Sequence, residues 1–322
     1  MSVYTRVERQ ELKAFLGRYD VGELISFEGI SAGVENTNYF VSTSGGEWVL
    51  TLFETLEYHE LPYCLNLMDH LAAEGLPSPA PVPDLRGHFL GQLLERPAAL
   101  VARLPGRSVE APDESHCAAM GRVLGQLHVA GLSYPGFRTN SRGPHWWNRA
   151  AARVMPVLPA ADTELLREEL RYQQEARHLH LPRGVIHGDL FRDNVLFRDG
   201  RLSGLIDFYY ACNDVLLYDL AVAANDWCTT ADGEIDPARL RAALEAYARS
   251  RPFRLDEAEA WNTMLRAAAL RFWLSRLHDL HFPRPGEITH TKDPKVFARV
   301  LRRRIAEPAP FLAPVRSLSA QG

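Results

Sequence analysis

Two periodicities divide this chain, and the place where one gives way to the other limits the fold more than any single residue. Between residues 23 and 104 the chain reads mainly as strands: "ELISFEGI", "TNYFVST", "WVLTLFE", "GHFLGQLL" and "PAALVARL". Short runs rich in β-branched and aromatic residues, bounded by turn formers, are strand signals. The Gly45-Gly46 pair between two of them signals a hairpin. One helical stretch, "ELPYCLNLMDHLAAEG", interrupts the series and stops at Gly75, and the proline-rich "LPSPAPVPD" that follows cannot be helix. Leu12, Phe15 and Leu16 place a short amphipathic helix within residues 1–20. After "PGRSVEAPDES" the spacing turns helical, in "ESHCAAMGRVLGQLHVAG", "TELLREELRYQQEARHL", "PARLRAALEAYARS" and "DEAEAWNTMLRAAALRFWLSRLHDL". Strands in one block and helices in another specify an α+β fold. The expected division is a sheet-rich part over 1–104 and a larger helical part over 105–322. The cleft between two such parts is the default ligand site.

One β island lies inside the helical part. "NVLFRDGRLSGLIDF" has apolar runs on either side of Asp199-Gly200, a two-residue hairpin turn. With that turn, Asn194 stands opposite Leu205, and Asp207 lies two residues beyond. The preceding loop, "HGDLFRDN", brings Asp189 back to the same end. Three oxygen donors that leave room for water suit Mg²⁺ shared with substrate phosphates. Asp-x-x-x-x-Asn followed by an Asp at a hairpin end is the phosphoryl-transfer arrangement of protein-kinase-like enzymes, in which the first Asp takes the proton of the attacking hydroxyl. The bland alternative is that all three cap turns.

The motifs "VIHGDLFRDNVLF" and "GLIDFYYACNDVLLYDLA" resemble the aminoglycoside phosphotransferase and choline kinase superfamily, whose fold is kinase-like and two-lobed. Further stretches resemble its bacterial homoserine kinases: "SAGVENTNYFV", "WVLTLFE", "ELPYCLNLMDHLAAEGLPSPAPV", "RTNSRGPHWW", "ANDWC", "ALRFWLSRLHDLHFPRPGE" and "TKDP". The resemblance runs from about Ser31 to Pro294 and implies ATP- and Mg²⁺-dependent phosphorylation of L-homoserine, a step toward threonine. It implies that Asp189 is the catalytic base, that Asn194 and Asp207 are metal ligands, and that His187 braces the loop. It places the nucleotide phosphates at the turn holding Gly33, Asn36, Thr37 and Asn38. It places adenine at a hinge over residues 101–104, which includes Val101 and Arg103.

One departure from the kinase pattern has chemical weight. Thr51 stands where the phosphate-anchoring Lys of the usual strand would be, and residues 19–85 contain neither Lys nor Arg. Mg²⁺, backbone N–H groups, Asn side chains or an Arg such as Arg192 must then hold the phosphates. The acceptor that the resemblance implies is zwitterionic. For its carboxylate the candidates are Arg138, Arg142, Arg271 and Arg276, each of which could equally be paired with an Asp. Trp227 is a further substrate candidate. Asp214, Asp219 and Asp226 are candidates for the ammonium. Two rival readings are a kinase for choline, an amino sugar or an aminoglycoside, and a nucleotide-binding regulator without turnover.

Composition adds exclusions. A net charge of −4 gives no basic field for nucleic acid. Cys64, Cys117, Cys212 and Cys228 have no metal or disulfide spacing and read as reduced thiols. "MSVYTRVERQ" has no signal-peptide run, and no apolar stretch is long enough to cross a bilayer. A cytoplasmic monomer or homodimer without membrane partners is the expectation.

Overall fold

The computed structural model describes residues 5–30, 36–176, 180–283 and 292–314. The chain divides into two units. The first holds the described residues up to Gly106 together with Ser203–Tyr209; the second holds the rest from Arg107.

The first unit is built on an antiparallel sheet of five strands in the order β1-β2-β3-β5-β4. These are β1 (Leu24–Gly29), β2 (Thr37–Thr43), β3 (Gly46–Leu52), β4 (Leu90–Leu93) and β5 (Arg96–Ala102). Alternation decides its two faces. Tyr39, Val41, Leu50, Leu52, Ala98 and Leu100 point to one side and pack with Leu12, Phe15 and Leu16 of helix α1 (Arg9–Leu16). The register Asn38↔Thr51↔Ala99 and Phe40↔Val49↔Val101 puts these six on the other face. Helix α2 (Leu61–Ala73) lies in the same unit.

The β2–β3 hairpin forms as its sequence suggests, with a different turn. Thr43 pairs with Gly46, so the loop residues are Ser44 and Gly45. Gly45 is required by crowding: a Cβ there would lie 2.5 Å from the Val21 carbonyl oxygen, which accepts the Gly45 N–H at 3.1 Å. The β4–β5 turn has Leu94 and Glu95 at φ 50° and 61°, with no glycine or asparagine to announce it.

The second unit contains helices α3 (Glu114–Ala130), α4 (Pro144–Val154), α5 (Ala160–Glu175), α6 (Leu216–Trp227), α7 (Pro237–Ser250), α8 (Leu255–His281) and α9 (Pro294–Ala306). Strand β6 (Arg183–Ile186) pairs antiparallel with β9 (Cys212–Val215). Between them in sequence, β7 (Val195–Arg198) and β8 (Arg201–Leu205) pair as a hairpin. Asp199 and Gly200 have φ 52° and 72°, the double-positive turn their residue types predict. Helix α6 is buried along almost its whole length, with Asp219 and Asn225 inside. Helix α9 is fastened by Arg304, whose guanidinium reaches Asn225 Oδ1 (3.1 Å), the Gly233 carbonyl (3.0 Å) and Thr229 Oγ1 (2.8 Å). Burial among these neutral partners lowers its pKa to about 10.

α3 and α7 meet almost backbone to backbone. A Cβ on Gly121 would lie 2.1 Å from the Ala243 carbonyl oxygen, and one on Gly125 would lie 3.0 Å from that of Tyr247. Gly121→Ala should therefore push the helices apart and destabilise by about 1–3 kcal/mol, the scale of core overpacking, despite alanine's better helix propensity. A melting temperature equal to or above wild type would contradict this packing.

Candidate active site

The loop "HGDLFRDN" leaves β6 and is fixed from three directions. From α6, Asp219 accepts the His187 N–H at 2.7 Å and the Gly188 N–H at 2.8 Å. From the end of the same helix, Trp227 Nε1 donates to the Leu190 carbonyl at 3.0 Å. From within the loop, Asn194 Nδ2 donates to the Asp189 carbonyl at 2.8 Å and to its Oδ2 at 3.3 Å. Gly188 turns at φ 77°, where a Cβ would meet the Tyr210 carbonyl oxygen at 3.0 Å. The result aims Asp189 outward while its neighbours His187 and Leu190 are buried.

Asp219 has no solvent exposure, so its charge needs compensation. His128 Nε2 lies 3.1 Å from Oδ2, and His128 Nδ1 lies 2.6 Å from the Tyr247 hydroxyl. Arg251 donates to that hydroxyl at 3.2 Å and pairs with buried Glu257 at 2.8 Å. A carboxylate can only accept, so His128 Nε2 carries the proton and Nδ1 accepts from Tyr247. Burial alone would raise the Asp219 pKa. The His128 hydrogen bond, the His187 ring and the Gly188 N–H outweigh it and hold the carboxyl below its ordinary range. Burial pushes His128 the other way, toward the neutral form.

This geometry corrects two expectations. Asp219 is buried under the loop backbone and cannot meet an acceptor ammonium. Trp227 has no exposed surface, packs on Phe197 and braces Leu190, so it is no substrate contact. A charged residue inside the apolar run "LLYDLAVAA" was the available signal for Asp219, because buried charges are rare unless paired.

Around Asp189 the second unit gathers arginines. Arg271 is 4% exposed, stacks over Phe272 (3.7 Å) and Tyr210 (4.9 Å), and its NH1 stands 3.6 Å from Asp189 Oδ1. That separation is an ion pair too long for a hydrogen bond. Arg142 reaches the Tyr210 hydroxyl at 3.4 Å and lies over Trp146 at 4.6 Å. Arg138 donates to the Ala211 carbonyl at 3.2 Å. Arg276 donates to the Asp293 carbonyl at the start of α9 (3.0 Å) and lies over Phe297 (4.5 Å). Arg192 is engaged by Asp226 at 3.0 Å, and Asp214 by Arg183 and Asn140, each at 2.7 Å.

In the first unit, Gly33 lies outside the described residues. Thr37 is fully buried on the core face, where its hydroxyl donates to Glu54 Oε1 at 2.7 Å; it points away from the face that carries Asn38 and is not a phosphate contact. Asn36 is buried, and its Oδ1 has no partner among the described residues, an omission worth about 1–3 kcal/mol that a ligand could repair. Val101 contributes its side chain to the Asn38 face. The Leu100 carbonyl and the Ala102 N–H on either side of it bond to Val82 and Ala80, so Val101's own backbone groups face β3. The Arg103 N–H goes to Glu47, and its side chain lies over Phe40 at 3.9 Å and pairs with Glu47 at 3.2 Å. Leu104 carries the first N–H beyond β5 that has no partner among the described residues. Asp207 is exposed and holds φ 65°, a left-handed conformation uncommon for a non-glycine and concentrated at functional sites.

No cluster of three His, Cys, Asp or Glu side chains among the described residues could hold a metal alone. Oxygen donors of these types suit a hard cation shared with phosphates. Asn194 spends its Nδ2 on Asp189 and keeps Oδ1 as an acceptor; in the first unit, Asp207 carries a carboxylate.

A braced Asp-x-x-x-x-Asn loop, an Asp after the next hairpin and a five-stranded sheet unit define a protein-kinase-like phosphotransferase. Residues 26–253 match the model of the phosphotransferase enzyme family. A homoserine kinase of Methylobacillus flagellatus is 50% identical over 97% of this chain and 98% of its own length. Another of Janthinobacterium is 45% identical over 97% and 98%. Among solved structures, the amicoumacin kinase hAmiN, held in complex with AMP-PNP and Ca²⁺, aligns with a TM-score of 0.72 at 14% identity over 96% of both chains. The microcompartment-associated aminopropanol kinase aligns at 0.67 and 17% identity, over 93% of this chain and 98% of that one. The chain belongs to the phosphotransferase enzyme family and, within it, to the homoserine kinases.

The buried Asp219–His128 pair predicts an acid-side loss of stability. Unfolded His128 takes up a proton near its ordinary 6.5 and folded His128 resists it, so the unfolded state binds more protons and stability falls as pH drops below that value. Asp219 adds a second loss at lower pH, beginning below 3.8 and ending at its depressed folded value. His128→Gln keeps a neutral donor without the titration. Its melting temperature should fall less steeply than wild type between about pH 6.5 and 4. Parallel curves would show that His128 is not buried in its neutral form.

Proposed function

We propose that this protein transfers the γ-phosphoryl group of ATP to the hydroxyl of L-homoserine, giving O-phospho-L-homoserine. The observation that carries the acceptor is Arg271. It is almost wholly buried, yet among the described residues it makes no hydrogen bond, only the 3.6 Å ion pair with Asp189 and two aromatic stacks. Its planar fork suits a carboxylate. In homoserine only two methylenes separate the hydroxyl from the α-carbon, so a carboxylate anchor must sit close to the catalytic base. Arg271 has that relation to Asp189. Arg142, which also lies against Tyr210, adds positive charge to the same cluster. The identity with homoserine kinases over nearly the whole chain supports the same acceptor.

Asp189, oriented by Asn194, would accept the hydroxyl proton as the oxygen attacks the γ-phosphorus. Asn194 Oδ1 and Asp207 are the proposed Mg²⁺ ligands; the ion would neutralise phosphate charge. Asn36 and Asn38 would contact the phosphates. The Val101 side chain and the Leu104 N–H would serve the base.

Three outcomes test this reading. With MgATP, L-homoserine should be phosphorylated, and choline, which would leave Arg271 without its anion, should be about 10²-fold poorer in kcat/KM. Equal rates with choline or kanamycin would favour a different small-molecule kinase. Asp189→Asn should lower kcat by about 10²-fold or more with ATP affinity nearly kept; collapse of ATP binding would make Asp189 structural. Arg271→Ala should raise KM for homoserine by about 30-fold or more and move KM for ATP little.

A further inference from the structure

Helix α6 turns a second carboxylate toward the reactive loop. Asp219 and Asp226 are seven residues apart in it. That is two full turns, so they share one face and stand about 10 Å apart along the axis. Asp219 takes the first N–H groups of the loop, those of His187 and Gly188. Asp226 takes the far end. Its Oδ2 accepts the Arg192 N–H at 2.8 Å and Arg192 Nε at 3.0 Å, and its Oδ1 accepts Nη2 at 3.3 Å. Nη1 of the same guanidinium donates to the Glu110 carbonyl at 2.6 Å. The Asp226 side chain is only 13% exposed, whereas that of Arg192 is 37% exposed. Arg192 opens a single turn of 3₁₀ helix that ends at Asn194, whose N–H returns to the Phe191 carbonyl at 3.0 Å. Asn194 is buried and spends its Nδ2 on Asp189. The direction of its Oδ1 is therefore set in two places, by Asp189 and by the turn that Asp226 holds.

We propose that Asp226 is a positioning residue that fixes Asn194 by holding the Arg192 N–H, and that Arg192 serves as its counter-ion and not as a phosphate ligand. This rests on the reading of Asn194 as a Mg²⁺ ligand. A carboxylate this far from water needs a cation and full use of its oxygens. The backbone N–H and the guanidinium fork supply both. Moving the guanidinium to a phosphate would leave Asp226 with one N–H and no neutralising charge, and would also give up the Glu110 carbonyl. The two carboxylates of α6 then divide the loop between them. Asp219 sets the end that accepts the proton, and Asp226 sets the end that binds the metal. Loss of Asp226 should therefore appear in the part of nucleotide affinity that Mg²⁺ supplies, and not in the handling of the acceptor.

The experiment is calorimetric titration of AMP-PNP into full-length wild type, Asp226→Ala, Asp226→Asn, Arg192→Ala and Asn194→Ala, once with excess Mg²⁺ and once with EDTA. Asp226→Ala should lose about tenfold of the affinity that Mg²⁺ adds, the worth of a hydrogen bond to a charged group, and keep its metal-free affinity. Asn194→Ala should lose at least as much. Asp226→Asn keeps an acceptor for the Arg192 N–H, and Arg192→Ala keeps that bond itself, so each should lose only about threefold. KM for L-homoserine should not change in the Asp226 and Arg192 variants. An arginine that binds phosphate gives the reverse order. Arg192→Ala would then be the weakest binder with or without Mg²⁺, and Asp226→Ala, by freeing the guanidinium, would bind as well as wild type or better. That order overturns the proposal. So does an equal loss of metal-dependent and metal-free binding in Asp226→Ala, which would mark a general loosening of the fold. Should Asp226→Ala not fold, Asp226→Asn and Arg192→Ala make the same comparison. If Asn194→Ala keeps the whole Mg²⁺ gain, the metal-ligand reading fails and the proposal falls with it; if only the Asp226 variants keep it, the proposal alone is overturned.

Discussion

One buried carboxylate fixes the reactive loop. Asp219 holds two successive backbone N–H groups, and those hydrogen bonds leave the loop no other path between His187 and Asp189. The carboxylate is itself held by His128, His128 by Tyr247, Tyr247 by Arg251 and Arg251 by Glu257, so the position of one loop is referred to α3, α6, α7 and α8. A chain of this kind is stable only if every member is satisfied. The close contact of α3 with α7, made possible by Gly121 and Gly125, lets His128 and Tyr247 meet at hydrogen-bond distance. The helix packing thus positions the loop as well as burying apolar surface.

Much of the architecture was legible because the relevant signals are local. The five strands, the helical stretches and the turn at Asp199-Gly200 follow from periodicity and turn chemistry over short windows. Where a local signal had two physical causes, the sequence could not choose between them. The Gly45-Gly46 pair suggested a hairpin turn, but not that glycine is needed at 45 because the Val21 carbonyl comes too close for any side chain. The turn at Leu94 and Glu95 carries no signal, since neither residue favours the conformation both adopt.

The site was legible as a set of residues and less so as a set of directions. Thr37 and Asn38 are adjacent, so the pleat sends one to the core and the other to the open face, and motif resemblance cannot say which. Trp227 lies in a family-like segment, yet its indole braces the Leu190 carbonyl and has no exposed surface. Asp219 and His128 each stand in an apolar run, where a polar residue must have found a partner, but only the tertiary structure shows that they found each other.

The uncharged side chain at position 51 has a practical consequence for how proteins of this kind are detected. Nucleotide analogues that carry an acylating group tag ATP sites by reacting with a lysine amine beside the phosphates. In this chain β3 offers a hydroxyl already committed to Asn38, and the three lysines are Lys13, Lys292 and Lys295. An inventory of kinases based on amine capture would find no amine on β3, and any label it left on this protein would have to come from another element, such as Lys292, whose ammonium lies 2.7 Å from Asp193 Oδ2 in the reactive loop.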